Sequence, residues 1–374
     1  MRKTYLYRAV VNKTTGANCN QWLEICRTLY NLALEQRISI YRQHGKSISA
    51  IKQKNQLPEL KDAFPEFATA GSQVLQDVIE RLDRAYQAFF QRLKKHNGKA
   101  GFPRFKSRDR YDSFTLKQSG WKLEGRYLYI KNIGRFKLFL SRPVEGAIKT
   151  VTIRRDSTGK WFAAFSCENV PVKEFPETTA SVGIDVGITS FCDDTDGNKI
   201  ENPKYLLQSL KLLRRRQRSL CRRQKGSARR QDTRLLVAKA HEKVSDQRKD
   251  FLHKTANFYI ERYQNIYIEN LNIKGMVSNR HLSRSITDSS WGMFFNMLSY
   301  KAEEAGRMVV KVPPHNTSQE CSGCHNKVPK SLSVKVHRCP FCGLVLDRHL
   351  NAALNIKARG QRVQALTSAL ADVV

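Results

Sequence analysis

Four thiols and two carboxylates are the groups in this 374-residue chain whose types and spacing can do chemistry. Cys321-Ser-Gly-Cys324 and Cys339-Pro-Phe-Cys342 make two C-x2-C knuckles separated by fourteen residues. Four soft thiolates so spaced close a tetrahedron around one Zn2+ and leave no open position, which predicts a structural metal rather than a catalytic one. Asp185 lies inside the apolar run SVGIDVGITSF, residues 181–191, between Gly183 and Gly187. An acid in such a strand is costly unless paired, and a divalent cation is the partner the pattern suggests; a solvent-facing Asp at a strand end is the other reading. Gly187 leaves room for a metal or a phosphate to approach the backbone. Glu269 ends a second apolar stretch, QNIYIE, residues 264–269. Neighbouring strands run about 5 Å apart, so two such carboxylates can share one or two Mg2+ ions of the kind that support phosphodiester hydrolysis. A third ligand is expected where the last helix begins, in DRHLNAALNI at 347–356, and there Asp347 is either that ligand or the helix N-cap.

The elements that must position these groups fall into two halves. After a first strand, KTYLYRAVV, apolar residues at helical spacing predict a helix from Asn18, as its cap, to His44, and a second from Ser72 to Lys95, with loop around Pro58 and Pro65. Short alternating strands separated by Gly and Pro follow from 123 to 170 and suggest a small barrel or sandwich that includes the first strand. Residues 171–180 read as a linker. Beyond it the 182–192 strand, a turn at 193–197, a helical hairpin over 207–262, the 264–269 strand, a capped helix from 289 and a strand at 307–314 alternate as in a layered α/β domain.

The charge is lopsided: 66 Lys and Arg against 33 Asp and Glu give a formal +33, well beyond what solubility needs. A polyanion is the partner class this implies, with counterion release as the drive. Two stretches concentrate the signal. Between 99 and 114, Phe102, Phe105, Tyr111 and Phe114 alternate with Lys99, Arg104, Lys106, Arg108 and Arg110, a stacking and phosphate-holding pattern that ordinary domain rims also show. From Lys211 to Arg230 ten of twenty residues are basic and none is acidic, including Arg214, Arg215, Arg216, Arg218, Arg222 and Arg223. Such a run repels itself unless an anion lies against it. No apolar run is long enough to span a membrane, no signal-peptide pattern opens the chain, and the remaining five cysteines are scattered, so a reducing, cytoplasmic setting is expected.

Taken together, GIDVG at 183–187, IENLNI at 268–273, SSWGMF at 289–294, TSQECSGC at 317–324, CPFCG at 339–343 and DRHLNAALNI at 347–356 resemble the TnpB proteins of insertion sequences, relatives of the type V CRISPR effectors. GFPRFK at 101–106 and QKGSAR at 224–229 extend the resemblance over nearly the whole chain. It implies a transposable-element RNA-guided DNA endonuclease with guide RNA and target DNA as partners. The implied architecture is α+β. A small β-barrel formed by 1–11 and 100–172 carries an inserted helical lobe, 12–99. A linker at 173–180 leads to a RuvC-like nuclease domain of RNase H fold, 181–314 and 343–374, interrupted by a zinc ribbon at 315–342. By motif, Asp185 and Glu269 correspond to catalytic acids. The third acidic position holds His349, a departure that implies weaker Mg2+ binding, a relative preference for Mn2+, and either reduced cleavage or guided DNA binding without it. Asp347 substitutes only if its side chain turns from the cap toward the metal.

Overall fold

The computed structural model describes residues 1–95, 100–173, 175–331 and 333–371, so Lys99 and the end of the expected helical lobe lie outside the described residues. The chain divides into two compact units, Met1–Pro171 and Val172–Val374.

In the first unit, β1 (Lys3–Val11) leads into α1 (Lys13–His44), α2 (Ala50–Asn55), α3 (Leu57–Ala63) and α4 (Ser72–Lys94). The strands β2 (Ser113–Leu116), β3 (Trp121–Glu124), β4 (Tyr127–Ile130), β5 (Gly134–Leu138), β6 (Ala147–Arg155) and β7 (Trp161–Glu168) follow. They form one antiparallel sheet in the order β2-β6-β7-β1-β5-β4-β3, in which the first strand sits centrally between β7 and β5. The first strand thus joins the later strands in one sheet, as the alternating pattern predicts.

Helix α1 starts earlier than expected: Asn12, not Asn18, caps it by accepting the Thr15 N–H at 2.7 Å. Asn18 instead donates its amide to the Ile133 carbonyl at 3.0 Å. Gly45 ends the helix at φ 65°, a left-handed turn. The Pro58 and Pro65 segments, expected as loops, form α3 and a 3-10 turn at Pro65–Thr69, each with proline in its first turn, where a missing N–H is tolerated.

The second unit contains β8 (Ser181–Val186), β9 (Ser190–Asp194), β10 (Lys199–Glu201), α5 (Tyr205–Arg222), α6 (Ala228–Arg262) and β11 (Asn265–Glu269). After these come α7 (Ile273–Val277), α8 (Ser283–Ser289), α9 (Trp291–Glu304), β12 (Met308–Val312), β13 (Val336–Arg338), β14 (Val345–Asp347) and α10 (Arg348–Ala371). The five-stranded sheet runs β10-β9-β8-β11-β12, with β8, β11 and β12 parallel and β9 antiparallel to its neighbours. The 182–192 segment is therefore two strands, because the chain turns at 187–189, and Asp193 and Asp194 belong to β9 rather than to the following turn. Helix α9 lacks the expected side-chain cap: Ser290 adopts φ 56° at the junction with α8 and makes no capping bond.

Both faces of this sheet are covered. On one, Tyr259 of α6 donates its hydroxyl to Asp194 at 3.2 Å. On the other, α10 lies so close that a Cβ at Gly183 would collide with the Ala353 carbonyl, which is why glycine stands two residues before Asp185. Burying side chains such as Phe191, Phe294 and Ile268 contributes roughly 1.5–3 kcal/mol each to this core.

Candidate active site

Asp185 lies near the C-terminal end of β8, and Glu269 is the last residue of the adjacent parallel strand β11. Both are more than nine-tenths buried. Parallel pairing of Ile184 with Ile268 sets both acids at the same edge of the sheet, one residue beyond that pair. Burial raises the Asp185 pKa, an effect opposed by its bond to His349. For Glu269, burial first and the Asp185 charge second push the carboxyl up to about 7, against the Thr317 hydroxyl and Arg359, which favour its ionised form. Thr317 Oγ1 donates to Glu269 Oε1 at 2.5 Å. Two buried carboxylates, each with its proton affinity raised by burial and by a neighbouring acid, Asp193 beside Asp185 and Asp185 beside Glu269, fit a divalent cation, which relieves the same repulsion that a proton does.

His349, in the first turn of α10, enters this site. Its Nδ1 lies 2.7 Å from Asp185 Oδ2, and its Nε2 lies 3.3 Å from Arg348 Nη2. Guanidinium only donates, so Nε2 accepts and Nδ1 carries the proton given to Asp185. Both ring nitrogens are engaged in this arrangement, and the imidazole orients Asp185. Asp347 does not join them. It is exposed at the end of β14, and its Oδ1 accepts the His349 backbone N–H at 2.7 Å, the helix-cap role. At Gly187 an added Cβ would lie 3.0 Å from the Ser190 carbonyl and 3.4 Å from His349 Cε1, so glycine makes room for the imidazole and the hairpin.

The four cysteine sulfurs converge within 4.8 Å of one another, with Cys321–Cys342 at 3.6 Å and Cys324–Cys339 at 3.5 Å. Zinc–sulfur bonds of about 2.3 Å in a tetrahedron separate sulfurs by roughly 3.8 Å, so the residues fit zinc. Among the described residues this is the one convergent group of three or more His, Cys, Asp or Glu donors. The acidic site therefore gathers two carboxylates without a third convergent donor.

Residues that sequence reasoning passed over tie the ribbon to the acids. Asn351 accepts the Ser322 N–H at 2.9 Å and donates to the Glu320 carbonyl at 2.7 Å. One helical turn on, Asn355 donates to the Thr317 and Glu320 carbonyls at 2.9 and 2.8 Å. The i, i+4 spacing of the two asparagines was the available signal. Asp193, read as part of a turn, pairs directly with Asp185 across β8 and β9, accepts from the Ser190 hydroxyl and is buried.

The basic run separates into two roles. Lys211, Arg214, Arg215, Arg218 and Arg222 share one face of α5 and, with Arg223 just beyond its end, line an open groove of about 770 Å3. Arg216 faces away, donating to the Leu236 carbonyl of α6 at 2.8 Å. Arg104 and Phe105 are exposed, as is Phe102, whose edge also packs on Tyr86 and Phe89 of α4. Lys106 is half-buried. Tyr111 and Phe114 are not on that surface: Phe114 points inward from β2 against Trp22, and Tyr111 packs on Tyr30.

A layered α/β domain with two acids at the ends of adjacent parallel strands, interrupted before its closing helix by a four-thiol ribbon, is a RuvC-like nuclease fold. Family models match residues 164–280 ("Probable transposase"), 291–356 ("Cas12f1-like, TNB domain") and 1–46 ("Helix-turn-helix domain"). The chain is 32% identical over 376 residues to a Streptomyces pristinaespiralis protein named "Putative RNA-guided DNA endonuclease", covering 98% of this chain and 91% of that one. It is 31% identical to the Escherichia coli (strain K12) protein "Putative RNA-guided DNA endonuclease InsQ", over 91% and 88% of the two chains. A solved Cas12f1 chain, from a complex with sgRNA and target DNA, shares the fold with a TM-score of 0.57 at 16% identity, over 93% of this chain and 83% of that one. The chain belongs to the TnpB family.

Proposed function

We propose that the protein is an RNA-guided DNA endonuclease in which Asp185 and Glu269 are the catalytic carboxylates. The observation that carries this is their position at one edge of the central sheet, buried and side by side, in a chain of the TnpB family. Guide RNA and target DNA are the partners, and the excess of 66 basic over 33 acidic residues fits them. The α5 stripe of Arg214, Arg215, Arg218, Arg222 and Arg223, with Lys106 and Arg104 in the other unit, supplies phosphate contacts. Residues 315–342 act as a structural zinc ribbon.

Asp185 and Glu269 would hold the Mg2+ or Mn2+ ion. When bound, such an ion activates water and stabilises the leaving oxygen of the phosphodiester. The chain's own groups set its surroundings. The Nδ1–H of His349 fixes one Asp185 oxygen, Asp347 fixes the His349 backbone, and the Thr317 hydroxyl fixes one Glu269 oxygen. An imidazole at the third position removes a negative charge, which weakens cation binding and lowers activity relative to an aspartate there.

That same imidazole favours a second reading, guided DNA binding without cleavage. The deciding experiment is cleavage of a guide-matched DNA duplex by the purified ribonucleoprotein in Mg2+ and in Mn2+, with target binding measured in parallel. Cleavage lost on Asp185→Ala while binding persists supports the nuclease. Tight binding with no cleavage in either metal supports the second reading, and cleavage that survives Asp185→Ala removes the proposed centre.

A further inference from the structure

The first unit holds a cavity of about 240 Å3 between α1, α4 and the 106–112 segment, lined by Tyr30, Arg81, Lys106, Arg110, Tyr111 and Asp112. Tyr111 is 6% exposed, and its hydroxyl, which Arg81 approaches as a donor, finds no acceptor among the described residues. An orphaned buried hydroxyl destabilises the fold unless a ligand completes it. Neighbouring Arg81 supplies no acceptor, since guanidinium only donates. Its N–H groups already go to Asp77 at 2.7 Å, the Ser113 carbonyl at 2.9 Å and the Thr115 hydroxyl at 2.8 Å. Burial above all raises the Tyr111 pKa, so the hydroxyl keeps its proton and remains a donor.

The cations beside it are positioned in advance. Asn31 holds the Lys106 backbone from both sides, accepting its N–H at 2.8 Å and donating to its carbonyl at 3.0 Å. Lys106 Nζ sits 5.5 Å from the Tyr30 ring centroid. Asp112, the acid among the described lining residues, is taken by Arg154 at 3.0 Å and the Ser113 hydroxyl at 3.2 Å. No ion pair engages Lys106 or Arg110 among the described residues.

We propose that this cavity binds a single phosphate of a nucleic-acid backbone, with the Tyr111 hydroxyl donating to a non-bridging oxygen between the Lys106 and Arg110 charges. A phosphate brings the acceptor that Tyr111 lacks and the negative charge that the two cations lack; a base edge brings no charge. The inference rests on the nucleic-acid partners proposed above, and names one of their contacts.

The test uses the full chain with a single-stranded RNA of about 20 nucleotides and a DNA of the same sequence, over a range of salt. Tyr111→Phe is expected to leave the melting temperature unchanged or raised, because the lost hydroxyl donates to no acceptor among the described residues. It should weaken binding about five- to tenfold at an unchanged salt slope. Arg110→Gln should weaken binding and flatten the slope by about 0.7. The double variant should lose less than the sum, since both groups serve one phosphate. An effect on RNA alone, or on DNA alone, assigns the strand. Variants that bind both strands like the parent overturn the pocket and leave the partner reading standing; a Tyr111→Phe protein that melts earlier overturns it too, by giving the hydroxyl a structural bond. A parent that binds neither strand overturns both.

Discussion

His349 Nδ1 lies 2.7 Å from Asp185 Oδ2, with both side chains buried and Arg348 on the opposite ring nitrogen. The imidazole thus orients the first acid through an N–H bond. Replacing it by Asp adds a carboxylate and removes that donor. His349→Asp is expected to lower the cation concentration for half-maximal cleavage about tenfold, more in Mg2+ than in Mn2+. Cleavage titrated with each metal checks this, and an unchanged requirement would mean the imidazole already serves as well as an acid.

Glu269 gives the metal-free protein a pH dependence of a definite sign. Its folded pKa, about 7, exceeds the ordinary 4.5, so the native state holds more protons than the unfolded state between those values. Stability is full below about 4.5 and falls as pH rises through about 7. Glu269→Gln should remove most of this loss, making chelated protein more stable than the parent by roughly 2–3 kcal/mol at pH 8 and equal to it near pH 4.5. Denaturant midpoints at the two pH values read it out.

Zinc removal should loosen the end of the chain. Protein purified without chelator should carry close to one zinc, and Cys339→Ser should lower that content. Hydrogen exchange over 315–356 should then rise, since Asn351 and Asn355 grip the ribbon's backbone at Glu320 and Ser322. A fully metal-free protein with unchanged exchange would refute the site.

Removing Asn355 tests the link itself. Asn355→Ala leaves the buried Thr317 carbonyl without this donor, an expected loss of about 1–3 kcal/mol. Because Thr317 also holds Glu269, cleavage should fall further than folding does at low temperature.

The α5 stripe should dominate salt sensitivity. Arg214→Ala, Arg215→Ala and Arg218→Ala together should flatten the slope of log affinity against log salt by about 2–3. Arg216→Ala should lower stability with the slope intact, because that guanidinium bonds the Leu236 carbonyl. Equal slope changes from both variants would contradict the division of roles.

The sequence by itself determined the metal-ribbon spacing, the two strand acids, the polyanion partner class and most elements of both units. These are local properties: ligand types and intervals, apolar periodicity and charge survive without knowledge of contacts. It misjudged boundaries where local chemistry competed. Asn12 outcompeted Asn18 as a cap, and Asp193 was taken for a turn residue although β9 carries it opposite Asp185. Only tertiary structure decided which donors meet. Whether His349 turns toward Asp185 depends on how α10 crosses β8, a crossing set by the glycines at 183 and 187 and by Asp347 acting as a cap. Likewise Arg216 and Arg218 are indistinguishable as letters; which faces solvent and which bonds a neighbouring helix is fixed by the packing of α5 on α6.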